Sequence, residues 1–377
     1  MNNIKAMTIF GTRPEAAKMA PLVKQLEKSK YIDSLVCVSA QHRQMLDQTL
    51  DSFNITPNYD LNIMKQSQSL IDITTNILTH LDPILKKEQP SIVLVHGDTS
   101  TTFASALAAF YNQIPIGHVE AGLRTHYRYS PYPEEMNRKL VGSLATLHFA
   151  PTMTAKNNLL AEGINEDAIY ITGNTIIDCI LQTTAKPTKF KASQLNDLDY
   201  VNKKIIVITA HRRENLGGPL ENICHAALEI AKKFDDVHIV YPVHFNPTVR
   251  ATVFSILNNQ HNIHLIEPLD MEDMHHLMKN AYIILTDSGG IQEEAPALNK
   301  PVIVLRDVSE RMEGVETGAL KLAGTNKQSI IDTTINILEN KELYKKMATA
   351  KNPFGDGFAS KRITTAIEHY FGAGNTD

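Results

Sequence analysis

The 377-residue chain has few cysteines and no excess of positive charge. Its three cysteines, Cys37, Cys179 and Cys224, are scattered without the C-x-x-C spacing of a redox or zinc motif. This usage is typical of small buried residues in a reducing compartment and argues against a disulfide scaffold. The formal net charge of -4 lacks the basic excess of nucleic-acid-binding proteins, so we expect no nucleic-acid partner.

Long apolar runs are also missing. No stretch reaches the roughly 18 apolar residues of a membrane-spanning helix, and the N-terminus shows no basic flank before an apolar signal core. We therefore expect a cytoplasmic protein that does not associate with a membrane. The chain has neither the G-x-x-x-x-G-K-[ST] loop of P-loop ATPases nor the H-E-x-x-H zinc motif.

Short apolar runs alternate with helical patterns along the whole chain. The runs predict strands at 4–10, 35–40, 92–96, 115–119, 146–150, 168–172, 204–209, 237–241, 263–266, 282–286, 301–305 and 319–322. Such alternation predicts parallel sheets with helices on both faces. Six strands in each half predict an α/β chain of two Rossmann-like, doubly wound parallel-sheet domains.

One polar stretch with little periodicity, residues 183–202, interrupts this alternation. We interpret it as a linker between an N-terminal domain, 1–182, and a C-terminal domain, 203–359. A final helix, within 360–373, is expected to pack back on the first domain. In this arrangement the carboxyl ends of both sheets would line a central cleft.

The first predicted strand ends in Gly11-Thr-Arg-Pro-Glu15, and a helical pattern follows at once. Open α/β sheets bind ligands at the carboxyl ends of their strands. Arg13 beside a helix N-terminus predicts an anionic ligand. The segment is not G-x-G-x-x-G, so it does not indicate a dinucleotide.

Three carboxylates follow strands or open helices in the first half. Asp98 comes just after strand 92–96, Glu120 follows strand 115–119, and Glu134 opens a helix after a long aromatic and basic loop. A carboxylate at a strand tip is more often catalytic or ligand-binding than a filler. Helix capping alone would also explain Asp98, and helix-dipole preference would explain Glu134.

The second half carries basic and glycine-rich loops at equivalent positions. His211 and Arg213 follow strand 204–209, and Ser288-Gly-Gly290 opens a helix after strand 282–286. Two glycines let a backbone approach a phosphate closely, and Glu294 can accept hydrogen bonds from a ribose diol. A solvated charge cluster and a simple turn are the alternatives.

Taken in order, these motifs resemble the bacterial non-hydrolysing UDP-N-acetylglucosamine 2-epimerases, from residue 4 to about residue 370. The segments that carry the likeness are Gly11–Glu15, His96–Asp98, His118–Arg124, Pro133–Glu135 with Asn137-Arg138, His211–Glu214 and Asp287–Gly290. The resemblance implies a fold like that of GT-B glycosyltransferases and a homodimer. It also implies interconversion of UDP-N-acetylglucosamine and UDP-N-acetylmannosamine without cofactor or metal, for cell-envelope polysaccharides.

The resemblance further implies roles for individual residues. In that family UDP leaves C1 as the C2 proton is lost, and it then re-adds to a 2-acetamidoglucal. Asp98, Glu120 and Glu134 would be the acid and base carboxylates, His211 would stabilise the leaving UDP, and Arg138 would support Glu134. The sequence leaves open which carboxylate serves which face of C2.

The remaining implied residues bind nucleotide sugar. The substrate-binding set is Arg13, Lys18, Arg213, His244, Ser288, Gly289, Gly290, Glu294 and Arg311. Gln41, Gln44 and His244 resemble positions where some relatives bind a second, activating UDP-N-acetylglucosamine. The chain departs from the family at Met312, where a proline is usual.

Other functions remain open at this stage. A GT-B glycosyltransferase would use the same phosphate and ribose contacts, since a fold does not fix a function. A hydrolysing 2-epimerase would release free sugar and UDP, and a UDP-sugar sensor would bind without turnover. Three carboxylates in the first half favour the epimerase, because a transferase requires only one base.

Overall fold

The computed structural model describes residues 3–40, 43–65, 68–185, 187, 189–309 and 311–373, without the side chains of 43–45. The chain divides into two compact units. One comprises the residues up to Cys179 and those from Phe354 onward, and the other comprises Ile180–Pro353. No helix among the described residues is both long and apolar enough to span a membrane.

The first unit contains a seven-stranded parallel sheet with the order β3-β2-β1-β4-β5-β6-β7. Its elements are β1 (Ile4–Phe10), α1 (Arg13–Leu26), β2 (Ile32–Val38), α2 (Arg43–Ser52), β3 (Tyr59–Asp60), α3 (Leu70–Glu88), β4 (Ile92–His96), α4 (Ser100–Tyr111), β5 (Ile116–Val119), α5 (Glu134–Leu144), β6 (Leu147–Ala150), α6 (Met153–Ala161), β7 (Ile169–Ile171) and α7 (Thr175–Thr183). Helices cover both faces. Successive strand residues such as Ile9 and Phe10 point to opposite faces and therefore belong to different apolar clusters, as a doubly wound sheet requires.

The second unit repeats this plan with six parallel strands in the order β10-β9-β8-β11-β12-β13. Its elements are β8 (Lys204–Thr209), α8 (Gly218–Lys233), β9 (Val237–Pro242), α9 (Pro247–Leu257), β10 (Ile263–Ile266), α10 (Met271–Asn280), β11 (Ile283–Thr286), α11 (Gly289–Glu294), β12 (Val302–Val304), α12 (Met312–Glu316), β13 (Leu320–Leu322), α13 (Lys327–Glu339) and α14 (Lys341–Ala348). The predicted fold class of two doubly wound parallel α/β domains is confirmed.

Most strands lie within one residue of their predicted bounds, and two depart further from the prediction. Strand β2 begins at Ile32 rather than 35, because all seven residues of β1 pair with it, from Ile4 with Ile32 to Phe10 with Val38. Strand β3 was not predicted. It has only two residues, both paired with the end of β2, and so short a segment leaves no apolar pattern.

The polar segment predicted as a linker, 183–202, lies in the second unit. Phe190 and Leu195 are buried against strand residues of β8, including Val207. The backbone N–H groups of Lys191 and Ala192 donate to the Asp273 carboxylate, at 3.1 and 2.8 Å. The chain divides after Cys179 and before Phe354, whereas the sequence placed the limits at 182 and 360.

The last helix, α15 (Ala359–Tyr370), belongs to the first unit. Ile363 and Ile367 are fully buried in the cluster that lies between α1 and the first sheet. The Asp178 carboxylate of α7 accepts N–H bonds from Ala359 and Ser360, at 3.1 and 2.8 Å, and so caps the start of the helix. The end of the chain thus completes the core of the first unit.

Removal of apolar contacts from α15 tests this role. We expect Ile367→Ala to lower the free energy of unfolding by about 2–5 kcal/mol, because it opens a cavity in a filled core. Thr365→Ala, an exposed change on the same helix, should leave stability within about 0.5 kcal/mol. Urea unfolding followed by circular dichroism measures both. Equal effects of the two substitutions would mean that α15 does not contribute to the core.

Candidate active site

In each sheet the strand order reverses between two central strands, β1 and β4 in the first unit and β8 and β11 in the second. Helices leave in opposite directions at such a reversal and expose a crevice at the carboxyl ends of the strands. Gly11–Glu15 follows β1, and Gly97-Asp98 follows β4. His211 and Asp287 occupy the corresponding places after β8 and β11. The sequence motifs therefore fall where each sheet can bind a ligand.

Asp98 is fixed by helix α5. The Arg138 guanidinium donates from Nη2 to Asp98 Oδ2 at 2.6 Å, and Asn137 Nδ2 donates to the Asp98 backbone carbonyl at 2.9 Å. Gly97, at φ 66°, supplies the left-handed turn that aims Asp98 out of β4. The sequence placed Arg138 beside Glu134, but its partners are Asp98 and, at 3.5 Å, Glu135.

Glu120 sits in a strained and crowded position at the end of β5. Its backbone has φ 61°, a left-handed conformation that costs a non-glycine residue about 1–2 kcal/mol. Its carboxylate accepts hydrogen bonds from Lys18 Nζ and, at 2.8 Å, from Asn174 Nδ2. His96 Nε2 lies 3.7 Å from the same oxygen. Such strain persists only where the surroundings hold it, which is typical of functional sites.

The pKa values of Asp98 and Glu120 are shifted in opposite directions. Burial raises the pKa of Asp98 to about 6, although Arg138 works against it, and the charges of Glu120 and Glu134 raise it further. Burial would also raise the pKa of Glu120, but the Lys18 ammonium, His96 and two hydrogen bonds hold that pKa below its usual range. Environments that give two neighbouring carboxyl groups different pKa values are characteristic of acid–base catalysis.

Glu134 and Glu135 have different surroundings at the start of α5. Glu134 is half-buried, and its charge acts on Asp98, so all three predicted carboxylates interact within one cluster. Glu135 is fully buried and accepts the backbone N–H groups of Thr125 and His126, at 3.0 and 3.1 Å. It therefore holds the first turn of the loop 125–133 against the helix.

Glu15 also belongs to this site, although its sequence pattern did not assign it a role. It is buried, and both of its oxygens are occupied. One accepts from the Gly11 and Thr12 N–H groups, at 3.1 and 2.8 Å, and the other from the hydroxyls of Thr99 and Thr102, at 2.7 and 3.1 Å. The spacing Thr12-x-x-Glu15 is a capping-box pattern that predicts the first of these contacts. Asn174 has no such local signal.

Two predicted anion-binding residues of the first unit have distinct environments. Arg13 is half-buried and is the first residue of α1. Lys18, one turn further along the same helix, pairs with Glu120. The structure therefore groups Lys18 with the carboxylates.

His211 leads the loop after β8 in the second unit. Its ring stacks on the ring of His244 with centroids 4.8 Å apart and planes 6° apart. Burial lowers the pKa of His211, the Asp287 carboxylate opposes this, and His244 and Arg212 add to it. Arg213 is exposed beside it. Asp287, whose role the sequence analysis did not assign, anchors the backbone of this loop from β11.

The glycine-rich start of α11 lies among charged side chains. A Cβ at Gly289 would meet the Arg311 guanidinium carbon at 3.1 Å, and one at Gly290 would meet a Glu294 oxygen at 3.1 Å. Ser288 is the N-cap residue of this helix. Glycine therefore lets the Arg311 and Glu294 side chains lie directly against the backbone.

Two further residues orient these side chains. Arg311 is paired with Glu293, with Nε 2.9 Å from Oε1, and the buried His275 places Nε2 3.2 Å from a Glu294 oxygen. Met312, where the resemblance implies a proline, is the first residue of α12, a position that proline also fits. The Arg311 contacts are thus present without it.

The predicted second nucleotide-sugar site is described only in part. Gln41 lies outside the described residues, and the side chain of Gln44 is not described. His244 is exposed and accepts the Asn246 N–H at Nδ1, at 3.1 Å. Within the described ranges, no three His, Cys, Asp or Glu side chains are grouped to hold a metal ion.

Two doubly wound units with these strand orders define a protein with a GT-B-like fold. A glycosyltransferase of kitacinnamycin shares the fold, with a TM-score of 0.67 at 11% identity over 98% of this chain and 99% of that chain. The family model for UDP-N-acetylglucosamine 2-epimerase matches residues 24–368, and the chain belongs to that family.

Individual relatives agree with this family. The UDP-N-acetylglucosamine 2-epimerase of Bacillus subtilis (strain 168) is 54% identical over 99% of this chain and 97% of its own length. The Neisseria meningitidis UDP-GlcNAc 2-epimerase, solved with UDP-GlcNAc, has a TM-score of 0.85 at 50% identity, over 97% of this chain and 100% of that one. The S. aureus MnaA–UDP structure has a TM-score of 0.84 at 53% identity, over 98% and 97%.

The pairing of Arg138 with Asp98 can be tested without an activity assay. Because the guanidinium lowers the pKa of Asp98, Arg138→Gln should raise that pKa above its starting value of about 6. Lys139→Gln removes the same charge from the same helix, but Lys139 faces Glu162 at 3.8 Å, so it should leave Asp98 unchanged. Carboxyl-carbon NMR titration reports both. A pKa of Asp98 that is unmoved in Arg138→Gln would contradict the pairing.

Proposed function

We propose that this chain reversibly epimerises UDP-N-acetylglucosamine at C2 to give UDP-N-acetylmannosamine, without net hydrolysis. The observation that carries the proposal is the grouping of Asp98, Glu120 and Glu134 beside two cations. Arg138 donates to Asp98, and Lys18 pairs with Glu120. Burial raises the pKa of Asp98 to about 6, whereas the partners of Glu120 hold its pKa below the usual range. Family membership supports the substrate, and the Neisseria relative was solved with UDP-GlcNAc bound.

The reaction needs such a cluster because C2 carries no adjacent carbonyl and its proton is not acidic. In the proposed elimination a base takes the C2 proton, the C2–H electron pair forms a C1=C2 double bond, and the C1–O bond breaks to release UDP. The intermediate is 2-acetamidoglucal. In the reverse addition a UDP oxygen bonds to C1 while an acid protonates C2 on the opposite face. No electron is gained or lost overall, so the chemistry requires no redox cofactor.

The first unit supplies the proton transfers. Asp98 has a pKa of about 6, so it can both accept and donate a proton near neutral pH, as efficient acid–base catalysis requires. Glu120, held as an anion by Lys18 and Asn174, is suited to accept a proton or to stabilise positive charge at C1. Glu134 adds the third carboxylate that a two-faced reaction can use. Arg138 keeps Asp98 in place.

The second unit supplies the nucleotide contacts. Arg311 and Ser288 lie at the glycine-rich start of α11 and would bind the pyrophosphate, whereas Glu294 would accept hydrogen bonds from the ribose hydroxyls. His211 would stabilise the charge that develops on UDP as the C1–O bond breaks. Arg13, Lys18, Arg213 and His244 complete the proposed substrate-binding set.

The biological setting follows from the same chemistry. We propose that the enzyme works in the cytoplasm, which agrees with three free, buried cysteines, and that its product serves cell-envelope polysaccharide synthesis. We also propose a homodimer, for which the exposed Phe110 and Tyr111 of α4 and Leu140 of α5 offer apolar surface. A second UDP-N-acetylglucosamine bound near Gln41, Gln44 and His244 would act as an activator.

Proton NMR of the purified protein with UDP-N-acetylglucosamine in D2O tests the reaction itself. We expect UDP-N-acetylmannosamine signals together with deuterium at C2. A carboxylate of the enzyme takes the C2 proton, and a carboxyl group that has exchanged with D2O returns a deuteron. Free N-acetylmannosamine plus UDP would indicate a hydrolysing enzyme. Binding without any conversion would indicate a transferase that lacks its acceptor, or a sensor.

The carboxylate cluster is tested by Asp98→Asn. This substitution preserves size but removes the titrating group, and we expect turnover to fall by about 10²–10⁴-fold. Binding of UDP, measured by calorimetry, should change little because the proposed nucleotide contacts lie elsewhere. Lys139→Gln is the control and should retain full turnover. Undiminished deuterium incorporation in Asp98→Asn would remove Asp98 from the mechanism.

A further inference from the structure

The Asp287 carboxylate is fully buried, but its two oxygens are used unequally. Oδ2 accepts the backbone N–H groups of His211 and Arg212, both at 2.8 Å, and Nδ2 of Asn215 at 3.0 Å. Oδ1 is shielded from solvent and accepts no hydrogen bond from the described residues. A buried anionic oxygen without a donor is unfavourable unless a cation or a donor faces it.

Glu15 is another buried carboxylate of this chain that anchors a loop. It occupies the equivalent reversal of the first sheet, and both of its oxygens are filled, one by Gly11 and Thr12 and the other by Thr99 and Thr102. Anchoring a loop therefore does not require an unfilled oxygen. The free side of Asp287 calls for a separate explanation.

The group that faces Oδ1 is the His211 imidazole, whose Nδ1 lies 3.9 Å away. The His211 side chain is 42% exposed, so its ring can rotate toward Asp287. His244 stacks on one face of it from the loop after β9, and Arg212 adds a positive charge from the same loop. The Asp287 carboxylate favours the protonated form of His211, whereas burial, His244 and Arg212 disfavour it.

We propose that Asp287 is the positioning residue for His211: its Oδ1 accepts the Nδ1–H of the His211 imidazolium when a nucleoside diphosphate binds, and so directs Nε2–H toward a phosphate oxygen. This inference rests on the proposed function. No bond between heavy atoms forms or breaks in this step. The imidazole gains one proton from solvent, and its two N–H groups then bridge the carboxylate and the diphosphate.

Without the Asp287 carboxylate, the His211 imidazole would be a poor partner for the departing UDP. A neutral ring that donates from Nδ1 presents a lone pair at Nε2, which repels phosphate oxygens. With an anion on each side, the doubly protonated ring is favoured. The 3.9 Å separation of Nδ1 and Oδ1 is longer than a hydrogen bond, and catalytic hydrogen bonds often tighten only in the complex with substrate.

Asp287→Asn tests this assignment because its amide oxygen can still accept the three donors at Oδ2, while an NH2 group replaces the anionic Oδ1. We expect kcat to fall by about 10–100-fold, as when an outer partner of a functional histidine is lost. The pKa of His211 in the UDP complex, followed by its ring C2–H signal in NMR, should fall. The alkaline limb of kcat should then move to lower pH, because the active protonated ring is lost sooner.

Two further variants separate positioning from structure. Asn215→Ala removes the bonds from Nδ2 to Asp287 Oδ2 and to the Leu305 carbonyl but leaves Oδ1 in place, so it should lower Tm yet leave the pKa of His211 unchanged. In an His211→Asn background, Asp287→Asn should add no further loss of UDP affinity in calorimetry. A normal pKa of His211 in folded Asp287→Asn that binds UDP and epimerises normally would overturn the positioning role. Failure of the unmodified protein to epimerise would instead overturn the proposed function.

Discussion

A buried carboxylate lies at the reversal of strand order in each sheet, and the loops of both candidate sites depend on it. Moving a carboxylate out of water is costly unless N–H or O–H donors replace its hydration. Glu15 meets this requirement on both oxygens by joining the loop after β1 to the start of α4. Asp287 meets it on Oδ2, where it joins the loop after β8 to the end of β11. Because each carboxylate fixes two segments of its own unit at once, the backbones that carry Arg13 and His211 are each held at the strand-order reversal of their own sheet.

In the first unit, the surroundings of Asp98 and Glu120 give these two carboxyl groups different pKa values. Glu120 is forced into a left-handed backbone and given Lys18 and Asn174 as donors, which keeps it anionic. Asp98 receives one strong partner, Arg138, which does not outweigh its burial, so its pKa is raised to about 6. The difference arises from the number and charge of the donors each oxygen meets, rather than from the distance between the two residues along the chain.

The sequence predicts the strands and the strand-end loops better than it predicts which side chains contact each other. Apolar runs bounded by polar loops indicate most strands, since burial on both faces leaves a continuous signal, whereas the two-residue β3 leaves none. The motif residues could be assigned to strand ends, because parallel strands present their carboxyl ends on one side. Partner choice is a tertiary property. Nothing near Asn174 indicates that it binds Glu120, and Arg138 follows Glu134 by one helical turn yet pairs with Asp98, which lies beside α5 only once the chain has folded.

The fold does not decide between an epimerase and a glycosyltransferase, because a glycosyltransferase at 11% identity has the same architecture. The chemistry of the two reactions differs at one carbon. A transferase moves a sugar from UDP to an acceptor and leaves C2 untouched, so it needs one base. Epimerisation must remove a proton from one face of C2 and return one to the other. A cluster of three interacting carboxylates, one of them poised near neutral pH, serves the second reaction and is surplus to the first. The acid–base groups of the first unit, rather than the nucleotide contacts of the second, are therefore the feature that separates the two activities.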